Sequence, residues 1–213
     1  ARWGHMLVHD HVGHDRLILW GGKDNSTYFT ELWVMDRSLP EPAWVLMSVP
    51  GVKPAARVYM AYAYDAAGDR LLVHGGIGAS NNTLGDLWEL DLSLATPTWT
   101  QLASGPAARY LHQVAIDTTL NRMFLFGGWT TTYSSETWSY DLAGNTWTLL
   151  APAGGPPAAR QAHGLVYDSS WNRLVAFGGV SAGGRLNDVW ALDLTSPGAE
   201  SWGDISAGGF SNP

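Results

Sequence analysis

The chain has no cysteine, only two lysines (Lys23 and Lys53), and few charged residues, at 15% of 213. Without cysteine there is no disulfide framework and no thiolate metal ligand, and the redox compartment stays open. The formal net charge is −7 at pH 7. A nucleic-acid partner is therefore not expected, because the basic stripe that displaces phosphate counterions is missing. No apolar run approaches the roughly 20 residues of a membrane span, and no signal-peptide pattern opens the sequence. The first residue is Ala1 rather than Met, which reads as a processed or excised chain.

Aromatics and glycine are abundant: 12 tryptophans and 25 glycines in a chain that is 46% hydrophobic. Such a composition leans on aromatic packing and tight turns rather than on charged helices, and it suggests an all-β protein. The length is enough to bury a core as one domain.

A fourfold repeat organises the chain. Four apolar runs end in paired glycines at Gly21, Gly75, Gly127 and Gly178, in steps of 54, 52 and 51 residues. Each is followed by Trp-x-x-Asp, ending at Asp36, Asp91, Asp141 and Asp193, and then by Trp44, Trp99, Trp147 and Trp202. Ala-Arg precedes each unit, at Arg2, Arg57, Arg109 and Arg160. Each unit reads as four short strands separated by Gly, Asn, Asp and Pro clusters, the pattern of antiparallel sheets. Turns closing in Asp-Arg or Asn-Arg follow Asp10, Asp65, Asp117 and Asp168. The glycine pair is expected to supply backbone angles, or a close approach, that a side chain would forbid.

These landmarks together resemble the kelch repeat, at its length of about 50 residues. The resemblance covers essentially the whole chain and implies that each unit is one four-stranded blade of a β-propeller. The expected architecture is one kelch domain over residues 1–213, with blades at 1–55, 56–107, 108–158 and 159–213. One departure is local: the aromatic usual just before the Asp is replaced by Met35, Leu90, Tyr140 and Leu192, with tryptophan two places earlier. The terminal units carry the same bulky residues as the middle ones and no polar caps. The blades therefore close on themselves, belong to a longer propeller, or form half of a two-chain ring.

The segment "HMLVHDHVGHD" (residues 5–15) holds four histidines beside Asp10 and Asp15. In the repeat register His5 matches Met60, His112 and His163, and His9 matches Tyr64, Ile116 and Tyr167. Both share a strand face with Leu7. His5 and His9 lie about 13 Å apart at strand rise, too far to share one metal readily. His11 and His14 fall in the following turn, which is one residue longer than its counterparts. A structural reading is preferred over a site built from His9, His11, His14 and an aspartate; no metal and no cofactor are expected.

Enzymatic members of the resembled family set limits. The copper-dependent oxidase type needs a tyrosine–cysteine crosslink, impossible here, and the Glu-x-x-x-Asp-x-x-x-His run of the iron-binding type is missing. A sialic-acid epimerase type survives as an alternative. "HGGIGASN" lacks the third glycine of a dinucleotide loop and the Gly-Lys-Ser/Thr of a P-loop. No catalytic residue is nominated, and a non-enzymatic role is expected.

Function is expected where the repeats differ, on loops carried by a rigid scaffold. The loops after each Gly-Gly offer Lys23, Asp24, Asn25, Asn81, Asn82, Trp129, Tyr133 and Arg185. By resemblance to kelch adaptors, the residues entering each first strand share that face: Arg2, Trp3, Arg57, Tyr59, Arg109, Tyr110, Arg160 and Gln161. The four aligned arginines also have a scaffold reading, bonding loop carbonyls or carboxylates. Aromatics beside amides suit a protein segment or a glycan. The expected function is a binding or assembly module for such a ligand. A surface building block that self-associates through its blades is the alternative, and it carries the expectation of a secreted or cell-surface address. Asn25-Ser26-Thr27 and Asn81-Asn82-Thr83 are glycosylation sequons in such a setting.

Overall fold

The computed structural model describes residues 1–206, and among them there is no helix. Four antiparallel sheets follow one another along the chain, each in sequential strand order. The first comprises β1 (Trp3–Asp10), β2 (Arg16–Lys23), β3 (Leu32–Asp36) and β4 (Trp44–Met47). In the second, β5 (Arg57–Val58) and β6 (Ala61–Asp65) both pair with β7 (Arg70–Gly78), followed by β8 (Thr83–Asp91) and β9 (Thr98–Gln101). The third holds β10 (Gln113–Asp117), β11 (Arg122–Phe126), β12 (Thr137–Asp141) and β13 (Thr146–Leu150). The fourth holds β14 (Gly164–Asp168), β15 (Arg173–Ser181), β16 (Gly184–Asp193) and β17 (Ser201–Asp204). Each sheet is built as one four-stranded propeller blade, as the resemblance implies.

A left-handed residue stands between β5 and β6. Tyr59 has φ 57, and the corresponding residues Gly4, Leu111 and Ala162 are also left-handed, at φ 65, 53 and 53. A left-handed residue breaks the pleat, so the chain turns into the blade two residues after each Ala-Arg arginine. The same position links neighbouring blades: Tyr59 N donates to Gly4 O at 3.2 Å, and Ala162 N to Leu111 O at 2.8 Å.

The turns between first and second strands behave as the sequence pattern requires. Asp69, Asn121 and Asn172 adopt left-handed φ, a conformation these side chains tolerate best after glycine. The arginine that follows pairs with the aspartate across the turn: Arg70 with Asp65 at 2.8 Å and Arg173 with Asp168 at 2.9 Å. The glycine pairs answer both expectations. Gly76 has φ +102, and a Cβ there would lie 2.7 Å from Val58 O.

The blades fall into two compact units, residues 1–110 and the chain from 111 onward, with two blades in each. In the first unit, Met6, Val8, Ile18, Trp20 and Leu32 of one blade pack on Leu71, Val73, Trp88, Leu90 and Trp99 of the next. In the second, Ala115, Phe124 and Phe126 pack on Leu165, Leu174, Ala176, Leu192 and Trp202. The same positions meet in both: Trp20 lies 5.3 Å from Trp99, and Phe126 lies 5.0 Å from Trp202. Of the eight repeat tryptophans, Trp88, Trp99 and Trp202 are buried, Trp33, Trp138, Trp147 and Trp190 are half-buried, and Trp44 is exposed.

Candidate binding site

The floor beneath the loops is an arginine–carboxylate–tryptophan unit. Arg57 Nη1 and Nη2 donate to Asp86 Oδ1 and Oδ2 at 2.6 and 2.8 Å, while Nη1 also reaches Gly75 O at 3.0 Å. Trp88 Nε1 donates to the same Asp86 carboxylate at 2.6 Å. Arg160, Asp188, Gly178 O and Trp190 repeat this constellation, with both guanidinium–carboxylate contacts at 2.7 Å. Burial acts to raise the Asp86 carboxyl, and the hydrogen bonds and charge of Arg57 outweigh it, holding the group below its usual value. At Asp188 the Arg160 hydrogen bonds are the leading cause of a lowered carboxyl.

Arg57, Arg109 and Arg160 are consequently fully buried and stand beneath the loop face, not on it. Arg2 differs. It is half-buried, donates to Gly21 O at 3.2 Å, and lies 4.2 Å over the Phe29 ring. Among the described residues it makes no ion pair.

Arg2 stands beside a cationic and aromatic cluster. Lys23 Nζ lies 5.1 Å from the Trp3 ring centre and 4.7 Å from that of Tyr28, and Trp3 lies 5.5 Å from Tyr59. Ring faces attract the ammonium and fix it without neutralising it. The loop between β2 and β3 is built for this: Lys23 and Tyr28 form an antiparallel bridge, and Asp24 Oδ1 accepts from Ser26 N and Thr27 N at 2.9 and 2.7 Å. Those two backbone bonds lower the Asp24 carboxyl, which is thereby engaged within its own turn. An open pocket of about 490 Å³ adjoins the cluster, lined by Arg2, Trp3, Asp24, Asn25 and Ser26.

Of the residues singled out from the sequence, Arg2, Trp3, Lys23, Asp24, Asn25 and Tyr59 are thus gathered in the first unit. Trp129 and Tyr133 pair edge-on at 4.8 Å in the second, on a loop closed by the same kind of bridge. Asn81 and Asn82 lie exposed in the β7–β8 hairpin loop, and exposed Arg185 lies near the start of β16. Tyr110 and Gln161 are half-buried, the latter bridged to Val180. Tyr28 and Phe29 were not singled out. Their signal was an aromatic pair inside the loop "KDNSTYFTE", close in sequence to Lys23.

The histidine-rich turn sits at the other end of β1. His9 Nε2 lies 2.8 Å from Asp15 Oδ1, to which Arg37 Nη1 also donates at 3.1 Å, and the His11 ring lies edge-on to Tyr64. Among the described residues no three His, Asp or Glu side chains gather as a metal-ligand set.

Sequential four-stranded blades define a β-propeller, and the comparisons name its family. The KLHDC2/KLHL20/DRC7 Kelch-repeats domain matches residues 102–212. Adagio-like protein 3 of Oryza sativa subsp. japonica is 28% identical over 94% of this chain and 32% of its own length. Adagio-like protein 1 of the same organism is 26% identical over 92% of this chain and 33% of its own. The Leucine-zipper-like transcriptional regulator 1 homolog of Drosophila melanogaster is 30% identical over 73% of this chain and 16% of its own length. The chain belongs to the kelch-repeat family. It spans about a third of the length of the Adagio-like relatives it matches.

Proposed function

We propose that the chain is a protein-interaction module whose loop face, in the first unit, takes an extended peptide carrying an acidic side chain. The observation that carries this reading is Lys23, whose ammonium is held over the Trp3 and Tyr28 rings and makes no ion pair among the described residues. A carboxylate arriving there gains a charge-assisted hydrogen bond, with Arg2 as a second cation nearby and Trp3 and Tyr59 offering apolar area. The Lys23–Tyr28 bridge and the Asp24 turn hold this loop in place.

A glycan is the second reading, favoured by the Trp3 ring, which is 42% exposed beside the Asn25 side of the pocket. The two are separated by probing the chain against an array of acidic peptides, their amidated counterparts, and a glycan array. The peptide reading expects retention of acidic peptides that weakens on amidation and on Lys23→Ala. Retention confined to sugars, and lost in Trp3→Ala but not Lys23→Ala, would replace it with the glycan reading.

A further inference from the structure

A second pocket lies inside the first unit, between β3 and β4 of one blade and β9, the outermost strand of the next. Its volume is about 270 Å³. Sites for drug-sized molecules occupy roughly 300–1,000 Å³, so this one suits something smaller. Leu32, Val49 and Trp99 are its buried walls, half-buried Met47 adjoins them, and exposed Glu31 and Lys53 stand at its edge. None of these residues belongs to the Lys23 cluster.

The donor that marks the pocket is Trp99. This side chain is only 6% exposed, yet its indole N–H makes no hydrogen bond among the described residues. The nitrogen is not sealed off, and the pocket is the space that Trp99 lines. Trp20, 5.3 Å away, gives its own N–H to Thr30 O at 3.1 Å. In the second unit the counterpart of Trp99 is Trp202, whose Nε1 donates to Thr137 Oγ1 at 3.2 Å. Leu32 stands at the place of Thr137 and carries no acceptor. A donor on so buried a side chain is costly to leave unmade, and an acceptor brought into the pocket answers it.

The charges at the edge are likewise open. Neither Glu31 nor Lys53 makes an ion pair or a side-chain hydrogen bond among the described residues. Glu136, at the place of Glu31 in the third blade, accepts from Trp138 Nε1 at 3.0 Å. The pocket thus offers one carboxylate, one ammonium with an indole N–H, and an apolar wall.

We propose that this pocket binds a free α-amino acid with an apolar side chain of leucine or methionine size. Its ammonium meets Glu31, and its carboxylate takes Lys53 and the Trp99 N–H. Its side chain lies on Leu32, Met47 and Val49, where burial of apolar area adds to the charge contacts. A peptide terminus carries only one of the two charges, so a free amino acid is the occupant that answers all three features.

The indole N–H resonances of the isotopically labelled chain, titrated with L-leucine and L-methionine, test this. Trp99→Phe identifies the Trp99 signal. At least one of the two should shift that signal saturably below about 10 mM. N-acetyl-leucine, leucinamide and glycine each lack one element of the match and should bind at least about tenfold more weakly. Glu31→Gln and Lys53→Ala change exposed positions, so the unfolding midpoint should match that of the parent. Each should weaken binding at least about tenfold as well. No saturable shift with either amino acid, equal binding of a blocked derivative or glycine, or binding unchanged in either charge variant would each overturn the proposal.

Discussion

Arg57 and Asp86 meet edge to edge, both guanidinium Nη atoms bonding both carboxylate oxygens at 2.6 and 2.8 Å, with Arg57 fully buried. The pair joins the segment that enters a blade's first strand to the interior of its third, since Arg57 begins β5 and Asp86 lies within β8. Arg160 with Asp188 makes the same link in the second unit.

Arg57→Ala strips the Asp86 carboxylate of both guanidinium bonds, although the Trp88 indole still donates to it, and removes the donor from the Gly75 and Ala55 carbonyls. Breaking a buried pair from one side predicts a loss of about 3 kcal/mol. Arg57→Lys should recover only part of it, because an ammonium cannot span both oxygens. Urea denaturation reads both, with Lys23→Ala expected within about 0.5 kcal/mol of the parent.

Stability should decline as pH falls from about 6.5 toward 4. Burial, then the charge of Arg160, pushes His163 down to about 4; burial, then Arg109, pushes His74 down to about 3. The unfolded chain, with ordinary histidines near 6.5, binds protons that the folded chain refuses, so stability is complete above that value and drains below it. Asp86 and Asp188 have lowered carboxyls, so their contribution drains only below the ordinary 3.8. Both ring nitrogens of His163 are buried without a partner, and Met60 occupies the same place in the second blade. His163→Met should therefore flatten the slope between pH 6.5 and 4 in denaturation measured across that range. An unchanged slope would contradict the assignment.

Two glycines with similar backbone angles should respond differently to alanine. At Gly76 a Cβ meets Val58 O at 2.7 Å, whereas at Gly155, with φ +75, nothing lies within 4 Å. Gly155→Ala carries only the left-handed penalty, about 1 kcal/mol. Gly76→Ala adds a backbone clash and should lose at least about 2 kcal/mol, read as the difference in unfolding free energy.

Blade architecture was legible because its determinants are local and repeated. Paired glycines, turn asparagines and alternating strands each encode a backbone geometry in neighbouring residues. His5 and His9 are on the same face as Leu7, as the register required. The arginine's partner was harder to read, since Arg57 and Asp86 are 29 residues apart. A signal existed all the same: an acid stands two residues before each Trp-x-x-Asp tryptophan, at Glu31, Asp86, Glu136 and Asp188. The proposed cluster was legible only in part. Lys23 was singled out as a loop residue and Trp3 as one entering the first strand, but Tyr28 joins them only through a bridge across the loop, which spacing alone does not reveal.

The central claim is that ligands meet the chain at the Lys23 cluster. The measurement that tests it most directly is amide hydrogen exchange with and without the acidic peptide best retained on the array. Protection should concentrate in residues 22–29 and 57–60, and should vanish in Lys23→Ala. Protection centred on the hairpin tips at 79–82 or 182–185, or no retained acidic peptide at all, would contradict it.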